Sequence, residues 1–238
     1  MIERQASQQT LKTQRSRRAR RIFSGLALLL SFCCSPAWSQ QVTLSANDLA
    51  RKVDEHYNHL QSLKTNFVEQ YDGLGQHRSE SGVMMLRKPG RMRWEYSSTP
   101  GKVFVLDGKY AWFYAPGDTQ VQRRSQSQLD DLRSPLRFLL GHTKIESELQ
   151  GLSLAAGPNG SYKLSGVPKG QQQRIAKLSL DVTAAGTITG IEIHEGDGAE
   201  TRFSFTNEEP NAKIPEITFH FAPPAGVRVF DADGLPPV

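Results

Sequence analysis

The segment Arg91-Met-Arg-Trp-Glu-Tyr96 alternates strictly between charged and apolar or aromatic side chains, with Met92 and Trp94 on one side. This two-residue period is typical of a β-strand with one buried face. A preceding strand, predicted over 81–88, ends at the turn signal Pro89-Gly90. The two segments therefore form a hairpin, and the sheet that decides the fold grows outward from it.

Further alternating segments on both sides of this hairpin predict a large sheet. The other predicted strands are Leu63–Tyr71, 102–106, 110–114, 120–124, 152–155, 162–165, 176–182, 187–194, 201–206 and 216–221. A helix from the capping-box sequence at Ser45 to about Leu60 precedes them, and a short helix over Pro135–Leu140 interrupts them. We predict a mainly β, α+β fold, in which one curved antiparallel sheet forms an unclosed β-barrel with an N-terminal helix and a short helical lid.

The N-terminal region has the features of an export signal. Seven of the 29 basic residues but one of the 24 acidic residues lie in 1–39, so the remainder is close to neutral and offers no basic stripe for nucleic acid. An apolar run over 22–32 and the small residues Ala37 and Ser39 follow. We predict a cleaved signal peptide over 1–39, with cleavage near Ser39/Gln40, and one periplasmic domain over 40–238.

Two alternatives stay open for this region. An uncleaved anchor is one, although the apolar run is about half the ~20 residues that a spanning helix needs. The pair Arg20-Arg21 also leaves both the general secretory and the twin-arginine export routes open. Cleavage would remove Cys33 and Cys34, the two cysteines of the chain, and with them any disulfide or thiolate ligand.

No pattern in the sequence indicates catalysis. His56 and His59 are spaced i, i+3 on the first helix without a third ligand nearby, which favours an exposed helix face over a metal site. The acidic pairs Asp130-Asp131 and Glu208-Glu209 fall in polar segments, a poor setting for a raised pKa. We therefore expect no enzyme activity, no metal and no cofactor.

An apolar excess on one face of the sheet is the remaining signal. Two helices can hardly fill the inner face of so large a sheet, and an underfilled apolar concavity is typical of a hydrophobic ligand site. The alternative is an ordinary packed core covered by the helices. The candidate cavity residues are Met84, Leu86, Met92, Trp94, Phe104, Leu106 and Trp112, and the candidate lid residues are Leu136, Phe138, Leu139 and Leu140.

Two basic residues at the hairpin, Lys88 and Arg91, are candidates for a latch. A cation at the rim of an apolar face could hold the lid by hydrogen bonds to helix C-terminal carbonyls. The alternative is an exposed hairpin end that carries charge for solubility.

Five segments in order resemble the LolA family, the periplasmic outer-membrane lipoprotein carriers of Gram-negative bacteria. They are Leu63–Gln70, Gly82–Tyr96, Leu106–Tyr114, Pro135–Leu140 and Ile217–Val227. The resemblance implies an unclosed barrel whose helical lid covers an apolar cavity for acyl chains. It also implies a latch arginine just before the hairpin proline, a position that Lys88 holds here, and lysine lacks the planar fork of arginine.

The partners that the resemblance implies are acylated lipoproteins, an inner-membrane lipoprotein-releasing ABC transporter and the outer-membrane receptor LolB. The chain is expected to act as a monomer. The alternative function is a receptor or sensor of the same fold that binds lipids or acylated proteins without shuttling them.

Overall fold

A computed structural model describes residues 44–126, residue 139 and residues 144–232, and these belong to one compact unit, Val42–Val238. The helices are α1 Ala46–His59 and α2 Ile145–Glu148, with 3-10 turns at Pro158–Gly160 and Glu216–Phe219. The first six strands are β1 Ser62–Gly73, β2 Gln76–Arg87, β3 Arg91–Tyr96, β4 Val103–Asp107, β5 Tyr110–Tyr114 and β6 Gln120–Ser125. The other six are β7 Leu149–Ala156, β8 Tyr162–Pro168, β9 Ile175–Val182, β10 Ile188–Glu195, β11 Glu200–Pro210 and β12 Arg228–Asp231.

The described strands form one open sheet in the order β12-β6-β5-β4-β3-β2-β1-β11-β10-β9-β8-β7. This confirms the predicted mainly β fold with a single unclosed sheet. One pairing differs from the prediction, because β12 lies parallel to β6 whereas the other pairs are antiparallel. The sheet is therefore mixed.

The predicted strand over 216–221 is wrong. Glu216–Phe219 is a 3-10 turn that follows Pro215 and lies against β3 and β4. The alternation that suggested a strand arises because Phe219 is buried and Phe221 packs on Trp112 at 5.6 Å between ring centroids. A segment can thus alternate in burial without a strand partner.

The N-terminal helix covers the inner face of the sheet. Ser45 and Asp48 form the predicted capping box, in which the Ser45 hydroxyl accepts from the Asp48 backbone N–H at 3.1 Å. The apolar stripe of the helix, Leu49, Ala50, Val53 and Tyr57, is fully buried in the main core. Helical amphipathicity thus fixes which side of α1 faces the sheet.

Strand register arranges the inward-facing side chains of β1 to β5 in layers along the interior. The first layer, which we call the packed end, consists of Leu63, Leu86, Met92, Leu106 and Ala111. The second consists of Thr65, Met84, Trp94, Phe104 and Phe113, and the third of Phe67, Gly82, Tyr96 and Lys102. Glu69 faces Glu80 in the next layer, and Tyr71 faces Arg78 beyond it. The interior therefore changes from apolar to charged from one end of the strands to the other.

Gly82 leaves room for the Phe67 ring in the third layer. A Cβ at this position would lie 1.9 Å from the carbonyl oxygen of Glu95 and 2.9 Å from the Phe67 ring. The Phe67 ring therefore packs over bare backbone, in edge contact with Trp94 at 4.5 Å and with Tyr96 at 5.2 Å.

Candidate functional site

A cavity of about 390 Å³ lies at the charged end of the interior. It is lined by aromatic rings together with charged and hydroxyl-bearing side chains. The aromatic lining residues include Trp94, Phe104, Phe113 and Phe203. We call these four the aromatic floor. A largely apolar lining with a few polar groups is the usual character of a ligand site.

Trp94 is the central ring of the aromatic floor. Its ring meets Phe203 edge-on at 5.6 Å and Phe205 at 6.4 Å. The residue is 2% exposed, and its indole Nε1 has no hydrogen-bond partner among the described residues. A buried donor without an acceptor costs free energy, which the packing of the Trp94 ring has to offset.

Four side chains form the polar mouth of the cavity, namely Glu69, Glu80, Tyr96 and Lys102. The Lys102 ammonium donates to Glu80 Oε2 at 2.5 Å and lies over the Tyr96 ring, 4.3 Å from its centroid. The Tyr96 hydroxyl donates to Glu69 Oε2 at 3.4 Å. Burial, and then the Glu80 carboxylate opposite, raise the pKa of Glu69, while Lys102 and Arg78 oppose this rise.

The predicted cavity residues divide between the cavity and the core. Trp94 and Phe104 line the cavity. Met84, Leu86, Met92 and Leu106 are instead buried in the main core with α1, at 0 to 6% exposure, so for these four the packed-core alternative describes the structure.

Trp112 lies on the other face of the sheet. The β4–β5 hairpin pairs Trp112 with Val105, and both belong to a second cluster with Val103 and Val121. Its ring packs on Phe221, and its Nε1 donates to Asp107 Oδ2 at 2.7 Å. Although the residue also borders the cavity, its ring is not part of the predicted inner face.

Lys88 binds carbonyl groups at the C-terminus of a helix, and that helix is α1. Its ammonium donates to the carbonyl oxygens of Tyr57 at 2.5 Å and of Asn58 at 3.0 Å. Both carbonyls belong to the last turn of α1, where the helix dipole favours a cation. This contact ties α1 to the hairpin and differs from the predicted bond to the lid.

Arg91 also contacts a different element from the one predicted. Its guanidinium Nη2 lies 2.8 Å from Glu216 Oε1, in the C-terminal 3-10 turn. Strand alternation explains the difference, because Arg91 faces Asp107 on the side opposite Met92. Its contact is therefore on the outer face, with the segment that follows β11.

Leu136, Phe138 and Leu140 of the predicted lid lie outside the described residues. Leu139 is described and is 2% exposed in the main core. The predicted role of the segment over 135–140 stays a prediction.

In the described part of the chain, no group of three or more His, Cys, Asp or Glu side chains could hold a metal ion. His56 instead pairs with Glu208, with 2.7 Å between Nε2 and Oε1, and the Tyr57 hydroxyl donates to the other Glu208 oxygen at 2.9 Å. These contacts fasten α1 to β11. None of the described helices is long and apolar enough to cross a membrane.

Sequence reasoning missed the polar mouth and half of the aromatic floor. The position of Phe113 could have been predicted from the hairpin, since a two-residue turn at Gly108-Lys109 places Phe113 opposite Phe104. Glu69 alternates with Phe67 on β1, which places it on the inner face, but its approach to Lys102 depends on the joint register of four strands.

Comparison with known proteins agrees with this geometry. The family model described as "Outer membrane lipoprotein carrier protein LolA" matches residues 58–222. The outer-membrane lipoprotein carrier protein of Nitrosospira multiformis is 30% identical over 172 residues, covering 71% of this chain and 81% of the relative. That of Chromobacterium violaceum is 29% identical over 173 residues, covering 72% and 82%.

Among solved structures, an uncharacterised conserved protein from Thermus thermophilus has a similar fold. The TM-score is 0.50 at 14% identity, with 78% of this chain and 98% of that chain covered. The family model spans well over half of this chain, and the open sheet with its covering helix fits the match. The chain therefore belongs to the LolA family of outer-membrane lipoprotein carrier proteins.

Proposed function

We propose that this protein is a periplasmic carrier that binds the acyl chains of lipoproteins in the cavity above the aromatic floor. The observation that carries the proposal is the cavity of about 390 Å³ with its aromatic floor, in a chain of the lipoprotein carrier family. Trp94 and Phe104 are the proposed acyl contacts among the residues predicted from sequence. The residues of the packed end serve as the support on which the cavity is built.

The energetics suit a carrier. Each buried methylene of an acyl chain contributes about 0.8 kcal/mol, so even part of one chain binds appreciably. A polar mouth at the end of the apolar interior lets the polar part of the cargo stay near water. A carrier needs an affinity for its cargo that lies between those of its donor and its acceptor. A small cavity limits how many methylenes are buried and so keeps the binding free energy moderate.

The finer proposal is a shuttle. The carrier takes lipoproteins from an inner-membrane ABC transporter and hands them to the outer-membrane receptor LolB. Export by a signal peptide over 1–39, cleaved near Ser39/Gln40, and a single working domain over 40–238 belong to this proposal. It requires no catalytic group, because transfer breaks no covalent bond.

The test is release of a labelled lipoprotein from spheroplasts by protein isolated from the periplasm after export. Phe104→Glu places a charge on the aromatic floor, and we expect it to abolish release. The matched control is Phe230→Glu, the same change on β12 at a residue that is 40% exposed and does not line the cavity. We expect the control to release the lipoprotein as the unmodified protein does.

Adding outer membranes that contain LolB tests the second half of the shuttle. Transfer of the released lipoprotein to these membranes is the expected result. Binding of a fluorescent fatty acid without any lipoprotein release would contradict the carrier proposal and favour a receptor or sensor that does not shuttle. Equal loss of lipoprotein release in Phe104→Glu and Phe230→Glu would contradict acyl binding in the cavity.

A further inference from the structure

The hairpin of β1 and β2 extends beyond its neighbour β3 at the charged end of the interior. Its turn, Leu74-Gly75, has positive φ at both residues, 52° and 72°, as in the two-residue turns that keep paired strands in register. The pairing of β2 with β1 therefore runs without a break from Gln76 to Arg87. In the described part of the chain, β2 pairs with β3 only from Gly82 to Arg87. Residues 76–80 of β2, which we call the free edge, thus have a strand partner on one side.

Backbone alternation decides which groups the free edge presents. The Ser81 N–H donates to Ser98 Oγ at 3.1 Å, and the Ser81 carbonyl accepts from the Ser97 N–H at 2.7 Å, both from the segment that follows β3. In an antiparallel strand, the N–H and C=O of one residue point to the same side, and successive residues alternate. Ser79 and His77 therefore direct their N–H and C=O groups away from β1. Neither residue has a backbone partner on that side among the described residues.

This edge lacks the usual protection against an added strand. Residues 76–79 are exposed, and none of them is a proline or a lysine, which commonly keep an edge from pairing. The Arg78 guanidinium lies over the Tyr71 ring of β1, 4.6 Å from its centroid, so this side chain leans away from the edge. An extended peptide can therefore continue the line of β3 and bond to both Ser79 and His77.

The free edge begins at the polar mouth of the cavity. Glu80 lines the cavity, and the next residues along the strand, Ser79 and Arg78, line a second cavity of about 370 Å³. Arg78 and Tyr71 border both cavities. A ligand whose acyl chain lies on the aromatic floor and whose polar part leaves through the mouth therefore reaches the free edge next.

The second cavity suits the side chains of a strand added at this edge. Because Glu80 and Arg78 face the interior, Ser79 and His77 lie on the outer face of β2. Most of the lining lies on that outer face, namely Gln70, Asp72, His77, Ser79, Glu200 and Arg202. Its charges already pair, Arg202 with Glu200 and His77 with Asp72. Small uncharged polar side chains therefore fit this surface better than charged ones.

We propose that the free edge of β2 binds the polypeptide of the cargo by β-strand addition, in the extended segment that follows the acylated residue. Main-chain hydrogen bonds supply the affinity, so cargoes of different sequence can pair with the same edge. This inference rests on the proposed function and deepens it, because an acyl cavity alone does not distinguish a lipoprotein from a free lipid. The ligand class is an acyl chain joined to an extended, uncharged peptide.

The test compares three ligands that share one palmitoyl chain. The first carries a neutral hexapeptide of alternating serine and threonine, the second carries the same peptide with every peptide amide N-methylated, and the third is N-methylpalmitamide. Each displaces a fluorescent fatty acyl probe from protein isolated after export, below the concentration at which it forms micelles. We expect the first to bind about tenfold more tightly than the other two, the factor expected for two main-chain hydrogen bonds of modest net strength.

Three variants locate the preference for the peptide. Ser79→Pro removes one N–H of the free edge, and we expect the tenfold preference to fall to about twofold or less. Ser79→Ala keeps this N–H and should keep the preference, which separates the backbone from the side chain. Ala156→Pro is the matched control on β7, an edge strand at the other end of the sheet, where Ala156 alternates with Gly157, whose N–H donates to Ser161. We expect Ala156→Pro to keep the preference.

Amide hydrogen exchange in the unmodified protein gives a second readout that needs no variant. The palmitoyl hexapeptide should slow exchange of the Ser79 and His77 N–H groups at least fivefold, whereas N-methylpalmitamide should leave it unchanged. The Arg78 N–H points to β1 and serves as the internal reference.

The outcomes separate this inference from the proposed function. Equal binding of the three ligands, with no change in exchange at Ser79 and His77, would overturn strand addition and leave the acyl cavity standing. Failure of all three to displace the probe would overturn the acyl cavity and this inference together. Equal protection by the hexapeptide without its palmitoyl chain would indicate an edge for any extended strand, such as one from another protein, and would overturn its assignment to the cargo.

Discussion

The packed end and the cavity end of the interior are built on the same strands, yet they differ in what fills them. At the packed end, Leu86 and Met92 are 0 and 1% exposed. Two layers further along the strands, Tyr96 and Lys102 border a cavity of about 390 Å³. One continuous sheet thus supplies both the stability and the binding site, because one end of its inner face is closely packed and the other end borders a cavity.

The comparison predicts first that the two ends differ in their contribution to stability. Leu86→Ala at the packed end should lower the free energy of unfolding by about 3 kcal/mol, since it leaves a void in a closed core. Phe104→Ala at the cavity end should cost about 1 kcal/mol, because its ring already borders open space. Urea unfolding measures both, and equal losses would contradict the division of the interior.

The second prediction concerns the boundary between the two ends. Gly82→Ala should destabilise the fold by about 2 kcal/mol, because the new Cβ meets the Glu95 carbonyl oxygen and the backbone has to shift. Gly75→Asn is the control, since Gly75 has φ +72° and open space around it, and Asn tolerates that conformation. Similar unfolding midpoints for the two variants would show that the close approach of the Glu95 carbonyl oxygen to Gly82 does not affect stability.

The third prediction addresses how α1 is held over the packed end. Lys88→Met removes the donor to the Tyr57 and Asn58 carbonyls and should cost about 1.5 kcal/mol. Hydrogen exchange should show faster opening of the last turn of α1 in this variant. Lys177→Met, at an exposed position on β9, is the control and should leave exchange in α1 unchanged. Unchanged exchange in Lys88→Met would contradict the role of Lys88 as the anchor of α1.

The smallest expected effect is a pH dependence from α1. The Asp54 carboxylate accepts from the Ile145 backbone N–H at 3.2 Å, and burial raises the pKa of Asp54 to about 6. A raised pKa in the folded state means that stability is fully present below the ordinary value of 3.8 and is lost as the pH rises through about 6. The loss should be about 1 kcal/mol or less, because the half-buried carboxyl is partly screened by water.

Asp54→Asn should therefore flatten the decline in unfolding free energy between acidic and neutral pH, measured by urea unfolding. Glu55→Gln, exposed on the next position of the same helix, should leave the slope unchanged. A steeper decline in Asp54→Asn would contradict the sign of the assigned shift.

Much of the fold was predictable because alternation and turn chemistry are local. The capping box at Ser45 and the hairpin at Gly108-Lys109 formed as the sequence indicated. The side of the sheet on which Trp112 lies could also have been predicted from the sequence. A two-residue hairpin that pairs Leu106 with Ala111 must place Trp112 opposite Val105. An error of one residue in that register moves a ring to the other side of the sheet.

The cavity itself was less predictable, because it depends on long-range placement. Met92 and Trp94 have the same pattern in the sequence and are both buried in the main core, yet Trp94 borders the cavity and Met92 does not. The Glu80–Lys102 contact likewise joins β2 to the residue that precedes β4, across the intervening β3. Local periodicity carries no information about how far a covering helix extends.

Photo-crosslinking at the aromatic floor shows directly whether acyl chains occupy the cavity. Benzoylphenylalanine replaces Phe104 in one variant and Phe230 in another, and each is loaded with an acyl-labelled lipoprotein during release from spheroplasts. We expect crosslinks to the acyl chains from position 104 and none from position 230. Acyl crosslinks from position 230 alone, or equal crosslinks from both, would contradict acyl binding in this cavity.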